Sequence, residues 1–288
     1  MLSDFFYFDF LQNAFFSGIL IGLVCPIIGV FLAVRRLSLI ADTLSHVTLA
    51  GVATGLFLQK NFVSLQIINP VYIGTLFSLV GVFVIDRLRQ VYRFYQELAL
   101  PIILSASIGF SVVLISLADG FNADVFGYLF GSLIAISDKD LLVILVVTVM
   151  IISIILLLFK ELFYISFDDE AANTSGIPVK KLNIIFSVLV ALVISISMNI
   201  VGILLVSSLI TLPVASALQL SNSFKQMFLY SIIIAQLSVI SGIVLSYHFD
   251  IATGGTIVMV LSTILLIILL IKQFSKSKSS GKRMTEVE

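Results

Sequence analysis

The sequence has little charge, almost no cysteine and no tryptophan. Only 11% of its 288 residues are charged, 60% are hydrophobic, and the mean hydropathy is +1.20. A soluble domain has about 25% charged residues, so this composition excludes a soluble enzyme and a nucleic-acid-binding protein. The single cysteine, Cys25, excludes an internal disulfide and a cysteine metal cluster. The chain is therefore predicted to be an all-α membrane protein that crosses the bilayer several times.

Apolar runs of about 20 residues, the length of a membrane-spanning helix, predict a bundle of eight or nine transmembrane helices. The runs lie at 14–34, 38–58, 67–85, 98–118, 140–159, 182–199, 201–219, 226–247 and 253–271. The run at 125–137 is too short to cross and is predicted to be re-entrant or buried against the bundle. Residues 1–272 are expected to form one transmembrane domain with a longer cytoplasmic loop at 160–181. The Ser/Lys-rich residues 273–288 are expected to be a disordered cytoplasmic tail.

Basic residues predict the orientation, because they accumulate in cytoplasmic loops. If the loop after the first span is cytoplasmic, every lysine and arginine except Lys60 and Lys139 faces the cytoplasm. The amino terminus is then outside and the carboxyl terminus inside. A cleavable signal peptide needs a positive stretch before its apolar run. The first basic residue is Arg35, so residues 14–34 are expected to be retained as a helix.

Asp42 and His46 stand four residues apart in the second span, so a helix places them on a single face. With a rise of about 1.5 Å per residue, His46 lies roughly 15 Å into the membrane. An ionised carboxylate at this depth costs at least about 2.5–3.5 kcal/mol. A carboxylate and an imidazole at this spacing suit Zn²⁺ or Mn²⁺. On spacing alone, an Asp–His hydrogen bond that fixes the helix to a neighbour explains the pair equally well.

The segment 167–178 combines acidic side chains with a helix stop. Asp168 or Asp169 can cap a short helix with an acidic first turn, and Gly176 and Pro178 end it. Such a helix in a cytoplasmic loop suits docking of a soluble partner, although a solvated linker fits the same residues. The chain contains no G-x-x-x-x-G-K-[ST] phosphate-binding loop. If the protein runs on ATP, a separate nucleotide-binding subunit must hydrolyse it, and this chain is then not itself the ATPase.

Three segments carry a family resemblance: R-R-L-S-L-I-A-D-T-L-S-H-V-T-L-A-G (35–51), F-D-D-E-A-A-N-T-S-G-I-P (167–178) and V-G-I-L-L-V-S-S-L-I-T-L-P-V-A-S-A (201–217). Together they resemble the permease subunits of bacterial metal ABC transporters, the ABC-3 family. The resemblance implies a type II importer fold like that of the vitamin B12 permease. It also implies a permease homodimer in the plasma membrane, with two ABC ATPase subunits inside and an extracytoplasmic metal-binding protein outside.

The same resemblance implies roles for individual residues. Asp42 and His46 are expected to contact the transported cation, with no permanently bound cofactor. The expected ATPase-docking residues are Asp168, Asp169, Glu170, Ala171 and Gly176. The wording A-D-T-L-S-H-V (41–47) is closer to the zinc branch of the family, and manganese or iron import by the same mechanism is the alternative. His248 matches no family position and is left out of the site.

Two other functions fit parts of the sequence. An ATP-independent secondary carrier would take up metal without any partner subunit. An intramembrane metal-dependent hydrolase could use the Asp–His pair, but its usual run of two histidines four apart with a glutamate is absent from the chain. The favoured mechanism is alternating access, in which Asp42 and His46 of two chains offer four transient ligands to the passing cation.

Overall fold

The computed structural model describes residues 9–62, 68–92, 94–118, 120, 122–132 and 136–285, and this part of the chain is helical without strands. Nine of its helices are long and apolar enough to cross a membrane. In chain order they are α1 (Asp9–Val34), α2 (Ser38–Asn61), α3 (Pro70–Val91), α4 (Ala99–Leu117, preceded by the 3₁₀ turn Gln96–Leu98), α6 (Asp138–Leu157), α9 (Val179–Val201), α10 (Ile203–Leu220), α11 (Phe224–Phe249) and α12 (Thr253–Thr285). All nine predicted spans are confirmed. Three shorter helices, α5 (Ala123–Phe130), α7 (Phe159–Phe167) and α8 (Asp169–Thr174), lie between them.

The short apolar run at 125–137 overlaps the eight-residue helix α5 (Ala123–Phe130). Asn122 caps this helix by accepting a hydrogen bond from the backbone N–H of Val125. Val125 and Leu129 are buried against α9 and α10 in one apolar cluster. The described part of this run is therefore buried against the bundle. Residues 133–135 of the run lie outside the described residues.

A glycine interrupts the helix between α9 and α10, the two short spans that the sequence predicts to follow each other with almost no loop. Gly202 has a φ of 83°, a conformation that L side chains rarely adopt, and its backbone lies against the carbonyl of Leu129 in α5. The helix therefore ends at Val201 and restarts at Ile203. This break lets α9 and α10 pack as separate helices around the end of α5.

The helices form a central group and an outer group. In the apolar stretches of α1, α2 and α9, 67%, 72% and 67% of the residues are buried. In those of α6 and α12, 22% of the residues are buried. The outer helices carry many exposed large apolar side chains, as expected for surfaces that contact lipid. The helix that carries Asp42 and His46 is thus the most enclosed of the nine.

A cluster of phenylalanines fixes one end of the bundle. The ring of Phe31, near the end of α1, lies 5.4–6.0 Å from the rings of Phe159, Phe186, Phe224 and Phe228. These contacts bring together the end of α1 and the beginnings of α7, α9 and α11. The connection from α1 to α2 and the short helix α8 therefore lie at the same end of the molecule.

The last helix continues beyond its predicted span. The sequence predicts a disordered tail over 273–288, whereas the structure extends α12 to Thr285. A polar segment that continues an existing helix avoids the cost of nucleating a new one. The final residues, 286–288, lie outside the described residues.

Candidate metal-transit site

Asp42 and His46 lie on α2, about 6 and 12 Å along the axis from its first residue at the helical rise of about 1.5 Å per residue. The hydroxyls of Thr43, Ser45 and Thr48 each donate to the carbonyl four residues earlier in the same helix, at 2.8–2.9 Å. Hydroxyls satisfied in this way do not need partners on other helices. Thr43 also lies 3.5 Å from the carbonyl oxygen of Leu100 in α4, and Asp42 and His46 are the ionisable groups of this stretch.

The Asp42 carboxylate has a partner on another helix. The hydroxyl of Ser207, in α10, donates to Asp42 Oδ1 at 3.2 Å. Ser207 and Thr211 are four residues apart on α10, so they lie on one face of that helix, and both are half-buried. The sequence alone does not identify Ser207 as a partner of Asp42, although Ser207 lies in the 201–217 segment. The spacing of these two hydroxyls within an apolar span is the signal that could have identified this face of α10.

The imidazole of His46, one turn after Asp42, is half-buried. Its Nδ1 atom is buried and has no hydrogen-bond partner among the described residues. Buried polar atoms in native proteins normally have partners, and an orphan needs an explanation such as an absent ion. The hydrogen bond seen at Asp42 is the one from Ser207, which ties α2 to α10.

One chain offers few ligands to a cation. In the described part of the chain, no group of three or more histidine, cysteine or acidic side chains comes together as a metal site. A structural zinc site has about four ligands, and Asp42 with His46 supplies two. Asp42 and His46 are thus two candidate ligands, one helical turn apart, on the most enclosed helix.

Glycines let α2 approach α3 closely. A Cβ added at Gly51 would lie 2.7 Å from the Cα of Gly74, and one at Gly55 would lie 2.9 Å from the Cα of Pro70. Such small-residue pairs permit backbone contact between membrane helices. Gly51 and Gly55 therefore pack α2 against α3.

The segment 167–178 folds as a capped helix. Asp168 is the cap, and its Oδ1 accepts from the backbone N–H groups of Glu170 and Ala171 at 3.0 and 2.8 Å. Gly176 has a φ of 84° just after the helix ends, and Pro178 precedes α9. Asp168, Asp169, Glu170 and Gly176 are exposed and Ala171 is half-buried. The predicted short helix is confirmed, with Asp168 as its cap and an acidic, accessible first turn.

His248 lies far from Asp42 and His46. It is exposed in the last turn of α11, and its ring meets that of Phe249 edge-on. The first turn of α11 lies beside the end of α1, where Phe224 meets Phe31. The last turn of this 26-residue helix is therefore at the opposite end of the bundle, away from the beginning of α2.

Sequence comparison decides the family to which this architecture belongs. Residues 7–272 match the sequence model of the ABC 3 transport family. The chain belongs to this family. This ABC 3 family member is 34% identical over 274 residues to a Treponema pallidum (strain Nichols) protein named for a metal transport system, covering 94% of this chain and 99% of that protein.

Two further relatives are named for particular metals. The chain is 32% identical over 266 residues to the high-affinity zinc uptake protein ZnuB of Haemophilus influenzae, covering 92% and 98% of the two chains. It is 32% identical over 257 residues to the manganese transport protein MntC of Halalkalibacterium halodurans, covering 89% and 85%. The ABC 3 family member is therefore a metal ABC transporter permease, in a family whose members are named for zinc and for manganese.

Solved structures share the fold. PsaBC from Streptococcus pneumoniae in complex with Fab matches with a TM-score of 0.80 and 29% identity, covering 93% of this chain and 95% of that one. A transporter described as of the metal-chelate ABC type, in an inward-facing conformation, matches with a TM-score of 0.67 and 16% identity, over 90% and 85%. The second likeness concerns the fold alone. The predicted all-α permease architecture of the type II importer kind is confirmed.

Proposed function

We propose that this permease carries a divalent transition-metal ion inward across the plasma membrane, with Asp42 and His46 as its transit ligands. The observation that carries the proposal is the buried Nδ1 of His46, which has no partner among the described residues and lies one turn from a carboxylate on the most enclosed helix. An intramembrane carboxylate and imidazole are expensive to bury and mark ion paths by default. Neutral imidazole nitrogen and carboxylate oxygen are ordinary ligands of such cations.

The cation exchanges part of its hydration shell for these two ligands as it passes. In a permease homodimer, the Asp42–His46 pairs of both chains facing one path supply four ligands. The Ser207 hydroxyl holds Asp42 between transits, so the carboxylate remains oriented without a full charge partner. Few ligands per chain keep the affinity moderate, which favours release toward the cytoplasm.

Energy and substrate reach the permease from opposite sides. An ABC ATPase docks at the cytoplasmic face on Asp168, Asp169, Glu170, Ala171 and Gly176, and an extracytoplasmic binding protein delivers the metal. The capped helix α8, with its exposed acidic first turn, supports this docking surface. The distribution of basic residues supports an outside amino terminus and a cytoplasmic carboxyl terminus.

Zinc is the proposed substrate, and manganese or iron is the alternative. For a site of nitrogen and oxygen ligands, the general order of affinities places Zn²⁺ above Mn²⁺ and Fe²⁺. The relatives are named for both zinc and manganese, so competition must decide. Proteoliposomes that take up Zn²⁺ and are inhibited more strongly by unlabelled Zn²⁺ than by Mn²⁺ would support zinc, and the reverse order would assign manganese.

Reconstitution tests the ATP-driven mechanism. The chain is placed in liposomes alone, with a co-expressed ABC ATPase, and with both the ATPase and a metal-loaded binding protein. We expect ATP-dependent uptake only when all three are present, because the chain has no phosphate-binding loop of its own. Metal uptake by the chain alone would contradict the proposal and establish the ATP-independent carrier instead.

A further inference from the structure

The three residues that join α1 to α2 form a rigid corner. The backbone N–H of Leu37 donates to the carbonyl of Leu32 at 2.8 Å, and that of Arg36 donates to Ala33 at 3.1 Å. These two bonds, with Arg36 at a φ of 54°, are the helix-ending pattern in which a left-handed residue closes the last turn. Because the corner is hydrogen-bonded to α1 and leads directly into Ser38, a displacement of residue 35 is passed on to α2.

The side chain of Arg35 leaves this corner and binds α9. Its Nη2 donates a short hydrogen bond to Oδ1 of Asn183, and its guanidinium carbon lies 5.6 Å from the centre of the Phe186 ring. Asn183 and Phe186 are three residues apart and so lie on one face of the helix. A guanidinium can hold an amide oxygen and an aromatic face at once because it is planar and carries several donors.

The part of α9 that Arg35 binds is joined to α8. Ala172 of α8 is fully buried in a small apolar cluster with Ile165 of α7 and Leu182 of α9. The backbone N–H of Ile177 donates back to the carbonyl of Ala172 at 3.1 Å. Helix α8 and the first turn of α9 are therefore packed as one unit.

Charge also links Arg35 to α8. Burial lowers the pKa of the Arg35 guanidinium below its ordinary value, the carboxylate of Asp169 raises it, and the nearby Arg89 lowers it. Asp169 is in the first turn of α8. Asp169 of this exposed acidic turn thus favours the charged form of Arg35.

We propose that Arg35 is a positioning residue that transmits movement of α8 and the base of α9 to the helix that carries Asp42 and His46. The inference rests on the proposed function, since it takes α8 as the docking element of the ATPase. Movement of α8 carries Asn183 and Phe186 with it, these residues displace Arg35, and the corner displaces the beginning of α2. Asp42 is seven positions beyond Arg35, in the first turns of that helix.

The test compares Arg35→Gln with Arg36→Gln in the permease–ATPase complex with its binding protein, reconstituted in proteoliposomes. Arg36 is exposed on the same corner and carries the same charge, so it is a matched control. Hydrogen bonds to charged groups are worth enough to change an equilibrium about tenfold. We therefore expect Arg35→Gln to lower metal uptake per ATP hydrolysed by about tenfold, with assembly and basal hydrolysis within about twofold of wild type, and Arg36→Gln to leave the ratio unchanged.

Two further variants separate transmission from folding. Asn183→Ala should lower the same ratio, and combining it with Arg35→Gln should add little, because both remove one contact. Arg35→Lys should be intermediate, since it keeps the charge and loses the planar fork. Parallel loss of uptake, hydrolysis and assembly in Arg35→Gln would overturn the inference in favour of a structural role.

The failure of this inference is distinguishable from that of the proposed function. A wild-type complex without ATP-dependent uptake would overturn both. Normal wild-type uptake with an unchanged ratio in Arg35→Gln would overturn only the transmission through Arg35.

Discussion

The close contact between α2 and α3 predicts that Gly51→Ala destabilises the protein. A Cβ at this position would lie 2.7 Å from the Cα of Gly74, 2.7 Å from the Cβ of Phe77 and 2.8 Å from the carbonyl oxygen of Ile73. All three atoms are fixed by the backbone of α3, so no side-chain rotation relieves the overlap. Ordinary contact begins near 3.4 Å, and the two helices would have to separate by about 0.7 Å in a close-packed interior.

The magnitude follows from two opposing effects. Overpacking a well-packed interior costs about 1–3 kcal/mol, whereas replacing a helical glycine by alanine gains about 1 kcal/mol of helix propensity. Gly109→Ala on α4 is the matched control, because a Cβ there meets no atom within 4 Å. It should show the propensity gain alone. Because this gain is common to both variants, they should differ in unfolding free energy by the overpacking cost, about 1–3 kcal/mol.

The native cysteine supplies the assay. Cys25 is the single cysteine of the chain and is fully buried, so a thiol-reactive fluorogenic dye reports unfolding directly. In detergent or nanodiscs, Gly51→Ala should unfold at a lower midpoint temperature than wild type, and Gly109→Ala at the same or a higher one. Equal midpoints for the two variants would refute the packing argument.

Two other contacts predict stability and docking effects. Gly202→Ala should lower the same midpoint by several degrees, since residue 202 has a φ of 83° and its Cβ would lie 2.5 Å from the carbonyl carbon of Phe130, whereas Gly255→Ala meets no atom within 4 Å and should not. Asp168→Ala removes the cap of α8, worth about 1 kcal/mol, and should weaken ATPase binding by about fivefold. Asp168→Asn keeps a capping oxygen and should bind normally in a titration of labelled ATPase; equal loss in both variants would show that the charge, not the cap, matters.

Local signals were sufficient for the helices and for the capped loop. The cap at Asp168, the stop at Gly176 and the break at Gly202 depend on residues within a few positions of each other, so their chemistry is legible in the sequence. The spacing of Asp42 and His46 is likewise a property of one helix. The apolar run at 125–137 left two arrangements open. Its length excludes a helix that crosses the membrane, but it does not indicate which helices the run packs against.

Contacts between distant helices could not be predicted in the same way. The hydrogen bond from Ser207 to Asp42 joins residues 165 positions apart, and it depends on which face α10 turns toward α2. The partners of Arg35 on α9 depend on packing around Phe31 for the same reason. The composition of the tail beyond residue 272 predicts disorder. Composition alone does not take into account that an existing helix is easily extended.

Metal uptake with paired substitutions tests the central claim most directly. Asp42→Asn with His46→Gln removes both proposed ligands at nearly constant shape. Asp250→Asn with His248→Gln makes the same chemical changes at exposed positions at the other end of the bundle and uses the only other histidine. In the reconstituted complex, ATP-dependent Zn²⁺ or Mn²⁺ uptake should be abolished in the first double variant and retained in the second, with both assembling normally. Wild-type uptake by the Asp42→Asn, His46→Gln variant would contradict the account.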